Sequence, residues 1–132
     1  MPKMRLNASV DITGPLFRQG KSRAAALRAQ TKVNEVLAEE TRQRLLAEFA
    51  RKLQHPTGAY TSRIVVDRGQ RYRGVSDSGQ AYGGWLEGID PRNRTTRFRG
   101  YHVFADVSAT MRQAAVQLAT PVVQELVREM NG

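Results

Sequence analysis

From Ser22 to Gln54 the chain runs without a single Gly or Pro, and that stretch limits the fold more than any other. It is rich in Ala, Leu, Arg, Glu and Gln, residues that lose little freedom in a helix. Its apolar positions Val33, Val36, Leu37, Leu45, Leu46, Phe49 and Leu53 recur at steps of three and four. This spacing places them on one helical face. Glu40 with Arg44, and Glu48 with Lys52, stand four apart in the favourable order. The stripe thins at Glu39-Glu40-Thr41, which leaves either a break or a face that meets another subunit. His55-Pro56-Thr57-Gly58 closes the helix, because a residue before proline is pushed out of helical geometry. A helix of this length spans about 50 Å, so the remaining elements must be arranged along it.

Before this run, Met4, Leu6, Ala8, Val10 and Ile12 alternate with Arg5, Asn7, Ser9 and Asp11. Period two predicts a half-buried strand, ended by Thr13-Gly14-Pro15. After it, Ala59 to Val66 reads as a strand. Arg68-Gly69-Gln70 reads as a turn, and Arg71 to Ser76 as the returning strand of a hairpin. The hairpin carries a basic rim of Arg63, Arg68, Arg71 and Arg73. Residues 77–100 show no clear period and read as a long basic loop or arm. From Val103, the positions Val107, Met111, Ala115, Leu118, Val122, Leu126 and Met130 keep helical spacing. Pro121 predicts a kink or restart there, with Thr120 as N-cap. The predicted fold is therefore one α+β domain over residues 1–132. It has a small antiparallel sheet, made of the N-terminal strand plus the central hairpin. The sheet packs against a long helix and a kinked C-terminal helix.

Composition narrows the function classes. Of 132 residues, 40% are hydrophobic and 25% charged, as in a folded domain. No apolar run is long enough to cross a membrane, and Met1-Pro2-Lys3-Met4-Arg5 does not resemble a signal peptide. With no cysteine there is no disulfide or thiol chemistry, which fits a reducing compartment. The net charge of +9 is uneven: residues 1–54 carry +6, residues 55–100 carry +4, and residues 101–132 carry −1. Such a surface suits contact with nucleic acid or with an acidic protein.

The residues assemble no catalytic or metal motif. His55 and His102 are far apart and have no thiolate partners, whereas a zinc site needs about four ligands. Ser62 or Ser78 with His102 and Asp106 lacks a nucleophile elbow. Glu87 and Asp90 are better explained by ion pairs with nearby arginines than as a carboxylate pair. Gly79, Gly83 and Gly84 do not form a phosphate loop. No cofactor is expected, and the chain reads as a non-enzyme.

Two adjoining segments stand out instead. Tyr82-Gly83-Gly84-Trp85-Leu86-Glu87-Gly88 holds the lone Trp, which either seals the core or anchors an interface. Arg92, Arg94, Arg97 and Arg99 follow, with Phe98 and Tyr101 interleaved. Arginine among aromatics suits a protein interface, or stacking and phosphate contact with nucleic acid, or a solvated loop. The candidate interface residues are thus Trp85, Glu87, Arg92, Arg94, Arg97, Phe98, Arg99 and Tyr101.

Together, Pro56-Thr57-Gly58-Ala59-Tyr60-Thr61-Ser62-Arg63-Ile64 after a long helix, the Tyr82–Gly88 segment, and Arg97-Phe98-Arg99-Gly100-Tyr101-His102-Val103-Phe104 resemble a known family. It is the small neck and tail-completion (head–tail connector) proteins of long, noncontractile-tailed bacteriophages. The usual "P-F-L-R-P-A" entry to the final helix is absent. The resemblance implies a structural virion protein at the head–tail joint, assembled in the host cytoplasm. It further implies a ring of identical copies contacting other connector and tail-tube proteins, with genomic DNA passing along the axis unread. The alternative is a free basic nucleic-acid-binding protein.

Overall fold

The computed structural model describes residues 4–7, 20–53, 58–68, 73–80 and 83–131. Its elements are β1 (Arg5–Asn7), α1 (Gly20–Lys52), β2 (Val65–Arg68), β3 (Arg73–Ser76), α2 (Gly83–Glu87) and α3 (Val103–Asn131). Single 3-10 turns lie at Thr61–Arg63 and Pro91–Arg94. The architecture is α+β, as expected: a three-stranded antiparallel sheet in the order β1-β3-β2 against two long helices.

Helix α1 runs unbroken for 33 residues. Val33, Leu37, Leu45 and Phe49 are buried, as their spacing requires. At the thin part of the stripe, Ala38 and Thr41 take over the buried face. Thr41 is tolerated there because its hydroxyl donates to the Leu37 carbonyl at 2.7 Å, so no donor is stranded. Arg44 reaches Glu40 at 2.8 Å. Glu48 instead spends its carboxylate mainly on Arg51, at 2.7 and 2.9 Å, with Lys52 at 3.9 Å.

In the sheet, Leu6 and Val66 both stand opposite Val75. This row faces α1 and joins the core around Phe49, where the Phe49 ring meets Tyr60 and Phe104 edge-on at 5.1 and 6.1 Å. Arg42 fixes the approach of the hairpin by donating to the Ile64 carbonyl at 3.2 Å.

Two boundaries differ from the sequence reading. Ala59–Arg63 is a turn, not strand; there the Ser62 amide bonds the Gly58 carbonyl, the Arg63 amide the Tyr60 carbonyl and the Ile64 amide the Thr61 carbonyl. Arg68, expected in a turn, closes β2 opposite Arg73. Of the alternatives expected at Pro121, the single C-terminal helix holds, since α3 continues through it; Thr120 does not cap a restart, and its hydroxyl donates back to the Val116 carbonyl at 2.6 Å. Ala8, Val10 and Ile12, the Gly69-Gln70-Arg71-Tyr72 stretch, and the His55-Pro56-Thr57 stop lie outside the described residues.

Candidate interface lobe

Residues 83–102 are not an open loop. They fold into a small lobe held by backbone crossings, one buried asparagine and an aromatic cluster. The lobe begins where Tyr60 donates its hydroxyl to the buried Asp77 carboxylate at 2.9 Å, while the Gly79 amide donates to the other oxygen at 3.0 Å. Only glycine fits at position 83, since a Cβ there would collide with the Asp77 carboxylate.

From α2 the chain turns at Gly88, with φ +100°, and returns at Gly100, with φ +98°. The two glycines cross back to back. A Cβ on Gly100 would overlap the backbone of Gly88, and one on Gly88 would overlap the Arg99 carbonyl. Beside the crossing, the Tyr101 amide donates to the Leu86 carbonyl at 2.6 Å.

Asp90-Pro91-Arg92-Asn93 forms a capped 3-10 turn. Asp90 accepts from the Arg92 amide at 2.9 Å, and the Asn93 side chain accepts from the Asp90 amide at 3.0 Å. Buried Asn93 also donates to the carbonyls of Trp85 and Phe98, at 3.2 and 3.1 Å. Sequence reasoning missed this residue, although a capping Asp, a Pro at the first helical position and an Asn three residues after the cap are a readable signature.

Trp85, Phe98 and Tyr101 pack on one another, with successive ring centroids 5.0 Å apart. Arg92 lies over the Trp85 ring at 5.4 Å and is gripped by both Asp90 oxygens, at 2.9 and 3.1 Å. That hydrogen-bonded guanidinium holds the Asp90 carboxyl below the usual carboxylate range. Arg99 donates to the Asn93 carbonyl at 2.7 Å. Arg94 and Arg97 are exposed and, among the described residues, form no ion pair or side-chain hydrogen bond. Trp85 thus both seals this lobe and carries an arginine.

Glu87 is the one candidate interface residue turned inward. Its carboxylate accepts from the Phe104 and Ala105 amides at 2.8 and 3.0 Å, capping α3 from a distant part of the sequence. As a surface contact it is therefore corrected, because the first turn of α3 needs an acceptor and Glu87 supplies it. Burial pushes this carboxyl up, against the two amides and the nearby His102, which favour the anion.

The expected basic rim is partly neutralised. Arg68 donates through Nε to Glu35 on α1 at 3.0 Å, and Arg73 donates to the other oxygen at 2.6 Å. The Arg68 hydrogen bond, reinforced by Arg73, holds Glu35 below the ordinary glutamate range. Arg63 stays exposed, and Arg71 lies outside the described residues. Ser62 and Ser78 bond local carbonyls, at Ala59 and Arg63, at 3.0 and 2.8 Å. Among the described residues no cluster of three or more His, Cys, Asp or Glu is placed to hold a metal.

No protein family, curated protein or solved structure was found to match the chain.

The lobe brings seven of the eight expected interface residues to its outer or half-buried surface. It leaves the hairpin arginines as a separate group.

Proposed function

We propose that this chain is a structural protein of a bacteriophage head–tail joint, acting as a ring of identical copies that bridges neighbouring connector and tail components. The observation that carries the reading is the lobe itself. The segment that bears the family-like residues is tied down internally and sends its unpaired arginines outward, an arrangement suited to docking and not to turnover. The reading draws further support from two long helices that leave Leu27, Val116 and Val127 exposed, because a ring subunit needs two different contact faces. The sequence resemblance supplies the location in the virion.

Deleting residues 89–99 tests the assignment. The shortened chain should keep the helical circular-dichroism signal of α1 and α3 but stay monomeric by light scattering, while the full chain forms rings visible by electron microscopy. Joined, infectious particles built with the shortened chain would remove the lobe from the role. The charge of +9 and the free Arg94 and Arg97 favour one other reading, a free nucleic-acid-binding protein. It requires tight, steeply salt-dependent DNA binding by the dilute monomer.

A further inference from the structure

The lobe presents an uneven set of groups to solvent. Ile89 is 58% exposed, just before the capped turn, and Pro91 is exposed beside it. Two cations, Arg94 and Arg97, have no internal partner among the described residues, whereas Arg92 and Arg99 are committed to Asp90, Trp85 and Asn93. The frame beneath them is fixed by the Asn93 bonds and the Gly88–Gly100 crossing.

We propose that this lobe is a docking surface for an acidic protein segment, with Arg94 and Arg97 pairing carboxylates and Ile89 filling an apolar contact. This deepens the interface reading of the same residues by naming the chemistry of the partner. Charge complementarity requires a polyanion, and two features select a protein over a nucleic acid. Trp85 and Phe98 pack on each other, Phe98 also meets Tyr101, and Arg92 lies over Trp85, so the aromatic rings are engaged within the lobe and not set out as an open row for stacking bases. An exposed isoleucine gains nothing against a phosphate backbone but gains area against an apolar side chain. An arginine and aliphatic surface on a rigid frame matches protein interfaces, and the rigidity limits the entropy lost on docking.

The full-length chain can be titrated by fluorescence anisotropy with three probes: a labelled, end-capped peptide of alternating glutamate and leucine, its lysine-for-glutamate counterpart, and a DNA duplex. The acidic peptide should bind and the lysine peptide should not. Replacing Arg94→Gln and Arg97→Gln together should weaken the acidic peptide about fivefold to tenfold and flatten its salt dependence. Ile89→Ser should weaken it about threefold with the salt dependence intact. These side chains are exposed, so circular dichroism should show both variants folded. Absence of acidic-peptide binding at low salt overturns the proposal. So does a duplex that binds more tightly than the peptide and is indifferent to Ile89→Ser. Ring formation, followed separately by light scattering, distinguishes the two levels: rings that ignore the acidic peptide sink this inference alone, and peptide binding without rings sinks the ring reading alone.

Discussion

Glu87 is where one side chain decides how two distant segments join. Its carboxylate serves the Phe104 and Ala105 amides, so Glu87→Ala leaves the buried Phe104 amide and the half-buried Ala105 amide without their acceptor. The expected cost is about 1–3 kcal/mol in urea unfolding at neutral pH. Glu87→Gln keeps one acceptor oxygen and should cost less. The pH dependence has a definite sign. Burial raises the carboxyl of the folded protein above that of the unfolded chain. Its contribution is then fully present below the ordinary glutamate value and is lost as pH rises through the elevated one. The penalty of Glu87→Gln should therefore shrink as the pH of the urea titration rises from acid to neutral. A penalty that grows instead would mean that the two amide bonds outweigh desolvation. Glu35 has the opposite sign. Its depressed carboxyl, set first by Arg68, stabilises the hairpin above the ordinary glutamate value and is lost as pH falls through its own. Glu35→Gln should remove that acid-side loss.

At the scale of elements, the two long helices and the sheet were legible because their signals are periodic and local. The stripe from Val33 to Phe49 repeats every three to four residues, and Leu6 sits in an alternating run. The lobe was not legible as structure, because its order comes from contacts without a period. Asn93 bonds carbonyls eight and five residues away, and Gly88 meets Gly100 across a twelve-residue excursion. Each glycine, seen alone, reads only as a turn. Their pairing makes a sharp prediction for Gly100→Ala. The new methyl would combine a left-handed backbone angle with a collision against backbone, not against a flexible side chain. The lobe should open, costing about 2 kcal/mol or more, with Trp85 fluorescence shifting to the red before the helices unfold. At Pro121 the apolar spacing carried on, which made a single C-terminal helix legible across it. Inside α3 the proline removes one amide and leaves the Gln117 carbonyl without its helical donor. Because position 121 is exposed, Pro121→Ala should stabilise the chain by about 1–3 kcal/mol, read as a higher thermal midpoint.

The whole molecule is unevenly supported along its length. One end of the α1–α3 pair lies under the sheet, with the core of Phe49, Leu45, Ile64, Val75 and Phe104. Further out, among the described residues, a separate small cluster joins Ala25 and Ala29 of α1 to Leu126 of α3. Two alanines and one leucine bury far less apolar area than the main core, so stability must fall along the pair. Leu45→Ala at the supported end should lower global stability by about 2–5 kcal/mol. Leu126→Ala should act differently: amides in the first turns of α1 and the last turns of α3 should exchange faster, while those around Phe49 keep most of their protection. Hydrogen exchange with mass spectrometry resolves the two ends. The same measurement bears on assembly, because Leu27, Val116 and Val127 are exposed on these helices. If copies join along the helices, the outer turns should gain protection in rings relative to the dilute monomer, and the gain should exceed that around Phe49, which is already protected. Equal exchange of the outer turns in both states would place the contacts between copies elsewhere on the molecule and leave the outer half of the helix pair without a part in the proposed ring.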